Sequence, residues 1–319
     1  MQYGEIISRS LAIAWRHKYL WLLALVAGES AVGFSISTNT NMSPTNGARP
    51  TTAVSIRDWT TVTAWIGAHV ALLAVMALIF LAVIVALFLV SVVANGAVVR
   101  ASYEFDAERP FSLGQAWNAG LASFWSVLKV KLIAALVTIM IVSVIGALAG
   151  SAAYLVISGA TLGGVTLAIL GGLFTLAALP FSIVFGVVVL FAVRGVTLDG
   201  LSVSAALGHG FHLLQRRLGR TSLLWIIIAA LSVVGGLIVG GATLLVGLVF
   251  AGIVATVYLA GGIAAAVVVG GLLAIVWLGM TLIASGAVMA FTSTYWTLGY
   301  TRLDREPQPM MQRQPPVAA

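Results

Sequence analysis

The chain is a succession of long apolar runs separated by shorter polar segments. The first run, Tyr19 to Phe34, is short and follows the basic trio Arg16, His17 and Lys18. A cleaved signal peptide is the competing reading, but the preceding segment is too long and too amphipathic for a charged leader region. It predicts a surface helix feeding a retained span. Ser35 to Asp58 is polar, with Pro44, Pro50 and many Asn and Thr, and reads as a loop. Thr63 to Val98 is an apolar run interrupted mainly by His69 and Asn95, longer than the ~20 residues a span requires. Val130 to Ile157 predicts a third span. A fourth runs from about Gly164 to Val193, and Pro180 inside it should kink the helix by removing a backbone hydrogen bond. From Thr221 to Thr301 there is no charged residue and no His.

That last run is resolved by parity. If the N-terminus, 99–131, 194–220 and the tail after Tyr300 are cytoplasmic, they hold every basic residue except Arg49 and Arg57. The positive-inside rule then requires an even number of crossings between Arg220 and Arg302. Two long helices, about 221–247 and 264–299, joined by an apolar connector around Phe250 to Gly262, satisfy it. The fold class is therefore all-α: a polytopic integral membrane protein of six spans, with eight as the alternative, and both termini cytoplasmic. Trp277 and Trp296 are placed to sit in the two interfacial belts.

The segments assigned to the cytoplasmic side resemble one another. Gly4, Leu11, Ala12 and Trp15 align with Gly114, Leu121, Ala122 and Trp125. Ser112, Ala116, Gly120 and Leu128 align with Ser202, Ala206, Gly210 and Leu218, and Arg16 with Arg216. Ser112 and Gln115 have the spacing of a capping box, in which two orphan N–H groups are satisfied reciprocally. Ile7, Leu11, Ala14 and Trp15 share a helical face away from Glu5, Arg9 and Arg16. Such helices either lie in the interface or extend the following span straight into the cytoplasm. Three units result, about 1–110, 111–200 and 201–305, each one surface helix and two spans, in a single membrane domain (1–305). A Pro/Gln-rich cytoplasmic tail, 306–319, follows.

Composition excludes the other classes. Of 319 residues, 61% are hydrophobic and 8% charged, too few polar groups to cover a soluble body of this size. Cysteine is absent, which removes disulfides and thiolate chemistry. The balance of 16 basic to 9 acidic residues reflects membrane orientation, and no nucleic-acid partner is expected.

Four stretches carry a family likeness: YGEIISRSLAIAWRHKYLW, FSLGQAWNAGLASFW, LSVSAALGHGFHLLQRRLGR and STYWTLGYTRL. Together they resemble the membrane domain of some bacterial glycerophosphodiester phosphodiesterases and their stand-alone multi-pass relatives. The resemblance implies a six-span protein of the bacterial inner membrane without an established activity. No segment is long and polar enough to hold the soluble phosphodiesterase barrel, so its catalytic residues are not carried over.

Candidate chemistry is sparse. Glu29, in the first span, and His69, near the outer start of the second, could form a polar pair in the outer leaflet, but the favoured reading places Glu29 at the outer headgroup level just past a short span. A lone His such as His69 is also a weak tetrapyrrole-ligand signal. His209 and His212 have helical i, i+3 spacing but lack a third ligand beyond Asp199, and Glu104, Asp106 and Glu108 read as a solvated turn balancing Arg100 and Arg109. No metal, cofactor or catalytic constellation is expected, and the chain is not expected to be an enzyme. Arg16, Lys18, Lys129, Lys131, Arg216, Arg217 and Arg220 are candidate lipid-headgroup contacts, and bound lipid is expected. Gly146 and Gly150, and Gly236 and Gly240, have the spacing that lets helix backbones approach closely. These features favour a non-catalytic membrane scaffold or accessory subunit of a larger membrane complex; a permease for an apolar or lipid-like substrate is the alternative.

Overall fold

The computed structural model describes residues 3–28 and 63–305; Glu29, the 35–60 loop and the 306–319 tail lie outside the described residues. The chain divides into two units, Met1–Gly33 with Ser91–Ala319, and Phe34–Val90. Seven helices are followed here: α1 (Tyr3–Arg16), α2 (Tyr19–Ala27), α3 (Val70–Asp106), α4 (Leu113–Ile157), α5 (Thr161–Leu198), α6 (Val203–Arg216) and α7 (Leu218–Arg305). Among the described residues there is no strand, and α3, α4, α5 and α7 are long and apolar enough to cross a membrane.

Local chemistry sets most helix ends. Helix α2 stops at Gly28, whose left-handed φ of 62° lets its N–H cap the Ala24 carbonyl. Ser112 and Gln115 form the expected capping box, Oγ and Oε1 each accepting the other residue's N–H at 3.3 and 2.9 Å. Ser202 caps α6 through the Ala205 N–H at 3.4 Å.

The surface segments divide between the two readings. Breaks at His17 and Arg217 set α1 and α6 apart as separate helices, but the middle segment runs unbroken into α4. That middle helix is a straight extension of its span, about 67 Å long at 1.5 Å per residue. No Pro or left-handed residue interrupts Leu113–Ile157. Helix α5 starts at Thr161, ahead of the expected Gly164, and continues through Pro180.

The connector expected around 250–262 is not a loop. Helix continues to 261 and breaks at Gly262 alone (φ 74°, ψ −173°), so α7 is two arms, 218–261 and 263–305. An irregular apolar connector would leave its backbone groups unsatisfied in hydrocarbon, whereas a helix satisfies them internally. The arms run antiparallel: the Trp277 indole donates to the Thr243 carbonyl at 3.0 Å, and the Tyr295 hydroxyl to the Leu224 carbonyl at 3.2 Å.

The core lies at the end of the bundle where the chain's charges cluster. Leu20, Val98, Phe191, Leu224, Trp296 and Leu303 are buried there. Trp296 is fully buried, so it packs this core and does not sit in an interfacial belt; Trp277 is partly exposed. Away from this end the apolar side chains of α4, α5 and α7 face outward, as Leu136, Leu162 and Leu237 do. In the second unit, 63–90, the apolar residues of α3 are likewise exposed.

Helices approach closely at small residues within the charged end, and again at Gly164 beside the α4–α5 turn, where a Cβ would stand 2.9 Å from the Ala152 carbonyl oxygen. A Cβ on Gly120 would stand 2.2 Å from the Val93 carbonyl oxygen, one on Gly286 2.7 Å from that of Trp21, and one on Gly210 3.0 Å from that of Val188. Gly146, Gly150, Gly236 and Gly240, expected to mediate such approaches, have nothing within 4 Å of a Cβ. They lie where the helices face outward, so the close packing inside this chain is made by other glycines.

Burial recurs at matched positions. Helix α1 buries Ile6, Ser10, Ile13 and Ala14, and α6 buries Ala206, Gly210, Leu213 and Leu214. The start of α4 buries Ala116 and Gly120 in the same places. The apolar face expected on α1 is thus split: Ala14 faces the core, Ile7 is half-buried, and Leu11 and Trp15 point outward.

Candidate functional site

The charged end carries a buried polar layer that charge counting along the sequence did not reveal. Arg194, counted there among the cytoplasmic rim charges, is 0% exposed. Its Nη1 donates to the Leu190 carbonyl at 2.8 Å, one turn back on α5, and its Nη2 to the Ser293 carbonyl of α7 at 3.3 Å. The guanidinium therefore joins two helices through backbone acceptors, aided by its five donors. Around it α7 buries Thr292, Ser293, Thr294 and Thr297. The Ser102 and Thr294 hydroxyls lie 3.1 Å apart and link α3 to α7. Ser10 Oγ, Asn95 Oδ1, Ser293 Oγ and Trp296 Nε1 are buried and make no hydrogen bond with the described residues. The signal was present as the run of consecutive hydroxyl residues Thr292–Ser293–Thr294 in a mostly apolar arm.

Outside this layer is a rim of ion pairs, several of which join elements distant in sequence. Arg9 of α1 reaches Asp106 at 2.7 Å and Glu108 at 3.2 Å, at and just past the end of α3. Glu5 meets Arg302 of α7 at 3.1 Å, and His209 of α6 meets Asp304 at 3.1 Å. The Tyr300 hydroxyl donates to Asp199 at 2.6 Å. Glu104 accepts from Arg100 at 2.9 Å and Arg109 at 3.3 Å, with only 7% of its side chain exposed. The expected solvated turn balancing Arg100 and Arg109 is corrected only at Glu104, which is a buried helix residue. Glu108 lies in the turn with 82% of its side chain exposed, and all three carboxylates are engaged by arginines. Among the described residues no group of three His, Asp or Glu could hold a metal ion.

His17 sits at the break between α1 and α2. Its ring stacks on Phe105 at 3.7 Å with 7° between planes. Burial, with a smaller contribution from Arg16, holds its pKa below the usual 6.5.

The other sequence candidates are scattered. Arg16, Lys18, Lys129, Arg216 and Arg220 are exposed, and Arg217 is half-buried at the end of α6. Lys131 is half-buried, its Nζ 3.5 Å from the carbonyl of Ala27 at the C-terminus of α2. His69 bonds through Nδ1 to the Trp65 carbonyl at 2.9 Å and stacks on that indole. Its suggested partner Glu29 lies outside the described residues. His212 is exposed while His209 faces Asp304, so the two histidines are not brought to a common ligand.

One groove of about 600 Å³ runs between α4 and α5 away from the charged end, with Ile145, Ala152, Ile157, Ala168 and Thr175 in its walls. Its lining is apolar apart from Thr175. Comparison of the chain with family models, with curated proteins and with solved structures gave no match.

Proposed function

We propose that this chain is a non-catalytic integral membrane scaffold or accessory subunit, lipid-associated and part of a larger membrane complex. In this reading it spans the bacterial inner membrane six times with both termini cytoplasmic. The spans are the apolar run Tyr19 to Phe34, of which α2 is the described part, one each for α3, α4 and α5, and the two arms of α7. The matched burial of α1, of the start of α4 and of α6 supports three units of one surface helix and two spans, and is consistent with the resemblance to phosphodiesterase membrane domains. The observation that carries the functional reading is the filled interior. At the charged end, where a substrate would have to leave the bundle, Arg194, Trp296, Tyr295, Tyr300 and Phe191 are packed to near-zero exposure.

A permease for an apolar or lipid-like substrate is the second reading, favoured by the α4–α5 groove. That groove is walled only by residues between Ile145 and Thr175, in the outward-facing part of one helix pair. The test is extraction of native membranes in mild detergent, followed by mass analysis of what co-purifies. A stoichiometric membrane partner supports the scaffold. Movement of a lipid or solute by the purified chain alone in liposomes, at a rate abolished by Glu29→Gln, overturns it.

A further inference from the structure

The surface helices have a second face that the core does not use. With Ile6, Ser10, Ile13 and Ala14 turned inward on α1, Leu11 remains 55% exposed and Trp15 66%. At the matched positions of α4, Leu121 is 50% exposed and Trp125 70%, and on α6 Phe211 is 44% exposed. On α6 the tryptophan position is taken by Gln215, and Leu218 just beyond is 55% exposed. Each stripe ends at exposed cations: Arg16 and Lys18, Lys129, and Arg216.

From this recurrence we infer that the three stripes form a single membrane footprint. Leu11, Leu121 and Phe211 lie in the cytoplasmic headgroup layer, with Trp15 and Trp125 as anchors, and the adjacent cations bind anionic lipid headgroups. The inference rests on the membrane reading above and adds the surface, its depth and its partner. Three observations combine. Large apolar side chains are exposed at equivalent positions of three helices whose opposite faces are packed. Indoles favour the layer where one end of the ring is apolar and the other wet. The charge beside each stripe has the sign that anionic headgroups attract. A cytosolic protein partner would explain one exposed stripe, but not the same stripe three times around one bundle.

The chain has no Cys, so single cysteines can be placed without background. Nitroxide labels at Leu11, Leu121 and Phe211 are compared with one at Leu136, in full-length protein in vesicles of phosphatidylcholine and phosphatidylglycerol. Relative accessibility to oxygen and to a water-soluble nickel chelate gives the depth of each. All three stripe labels should report headgroup depth and Leu136 the hydrocarbon. Aqueous values at the stripes with a deep Leu136 overturn the footprint and leave the membrane reading standing; an aqueous Leu136 overturns the membrane reading itself. In a second arm, Arg16, Lys18, Lys129 and Arg216 are replaced by Gln. Phosphatidylglycerol retained through purification should fall by up to about fivefold per cation removed. Unchanged retention overturns the electrostatic half of the proposal.

Discussion

The charged end of the bundle and its apolar arms are made of similar residues used in opposite ways. In the first, glycines are points of contact: Gly120, Gly210 and Gly286 each bring a neighbour's carbonyl to within 3.0 Å of a Cβ position. In the second, Gly146, Gly150, Gly236 and Gly240 have open space beside them, although Gly164 comes within 2.9 Å of the Ala152 carbonyl where α4 turns into α5. The difference follows from the solvent each region has. Lipid tails are as apolar as Leu, so the arms gain little by packing against one another, and association must come from close fit or polar bonds. At the charged end both are present, as small residues at crossings and as Arg194, Thr294 and the ion pairs. Buried polar contacts between helices concentrate at that end.

The sharpest way to break this comparison is a pair of identical substitutions. Gly120→Ala places a methyl group against the Val93 carbonyl and should destabilise by about 2–3 kcal/mol, the usual cost of overpacking. Gly236→Ala meets open space and should be neutral or stabilising by up to about 1 kcal/mol through helix propensity. Thermal unfolding in detergent followed by intrinsic fluorescence measures both, and equal shifts would erase the distinction. Arg194 comes next. Arg194→Ala should cost about 2–4 kcal/mol because it empties a packed site. Arg194→Met, which keeps the stem, should cost much less, since replacing a buried charge by a well-packed apolar group is often neutral. A Met variant as damaging as Ala would assign the charge itself a stabilising role.

Ser10→Ala should raise stability by up to about 1 kcal/mol, because a buried hydroxyl without a partner among the described residues is removed. The smallest effect concerns pH. His17 has a folded-state pKa held below its unfolded value, so the unfolded chain takes up a proton first. Stability should therefore fall as pH drops through 6.5 toward the folded-state value, and be fully present above 6.5. His17→Phe should flatten that part of the profile while keeping the stack on Phe105. A profile unchanged by the substitution would place the titration elsewhere.

Features written in short segments were legible in advance. The Ser112–Gln115 box is one, the amphipathic character of α1 and α6 another, and the even division of the charge-free run into two arms a third. The connector was misread because apolar composition marks a stretch that resides in lipid without saying whether it turns, and only the backbone of Gly262 turns. The burial of Arg194 was not legible for a related reason. Counting positive charges assigns a side to the membrane, but burial depends on which distant helix, here the one carrying Ser293, crosses at that level. The Gly-x-x-x-Gly spacings make no close approach within the chain, because spacing identifies a face that permits contact and the crossing helix decides whether contact occurs.

The single-residue turn at Gly262 also fixes the angular phase of the two arms. With no loop to absorb slack, the bonds from Trp277 to Thr243 and from Tyr295 to Leu224 depend on the residue count between them. One residue inserted between Thr243 and Trp277 would rotate everything beyond it by about 100°. The Thr292–Thr297 layer would then turn away from Arg194, although the insertion lies in the lipid-facing part of the arm. This stretch of apolar helix, which contacts little else, therefore acts as a ruler for the packed end and tolerates substitution far better than any change in length.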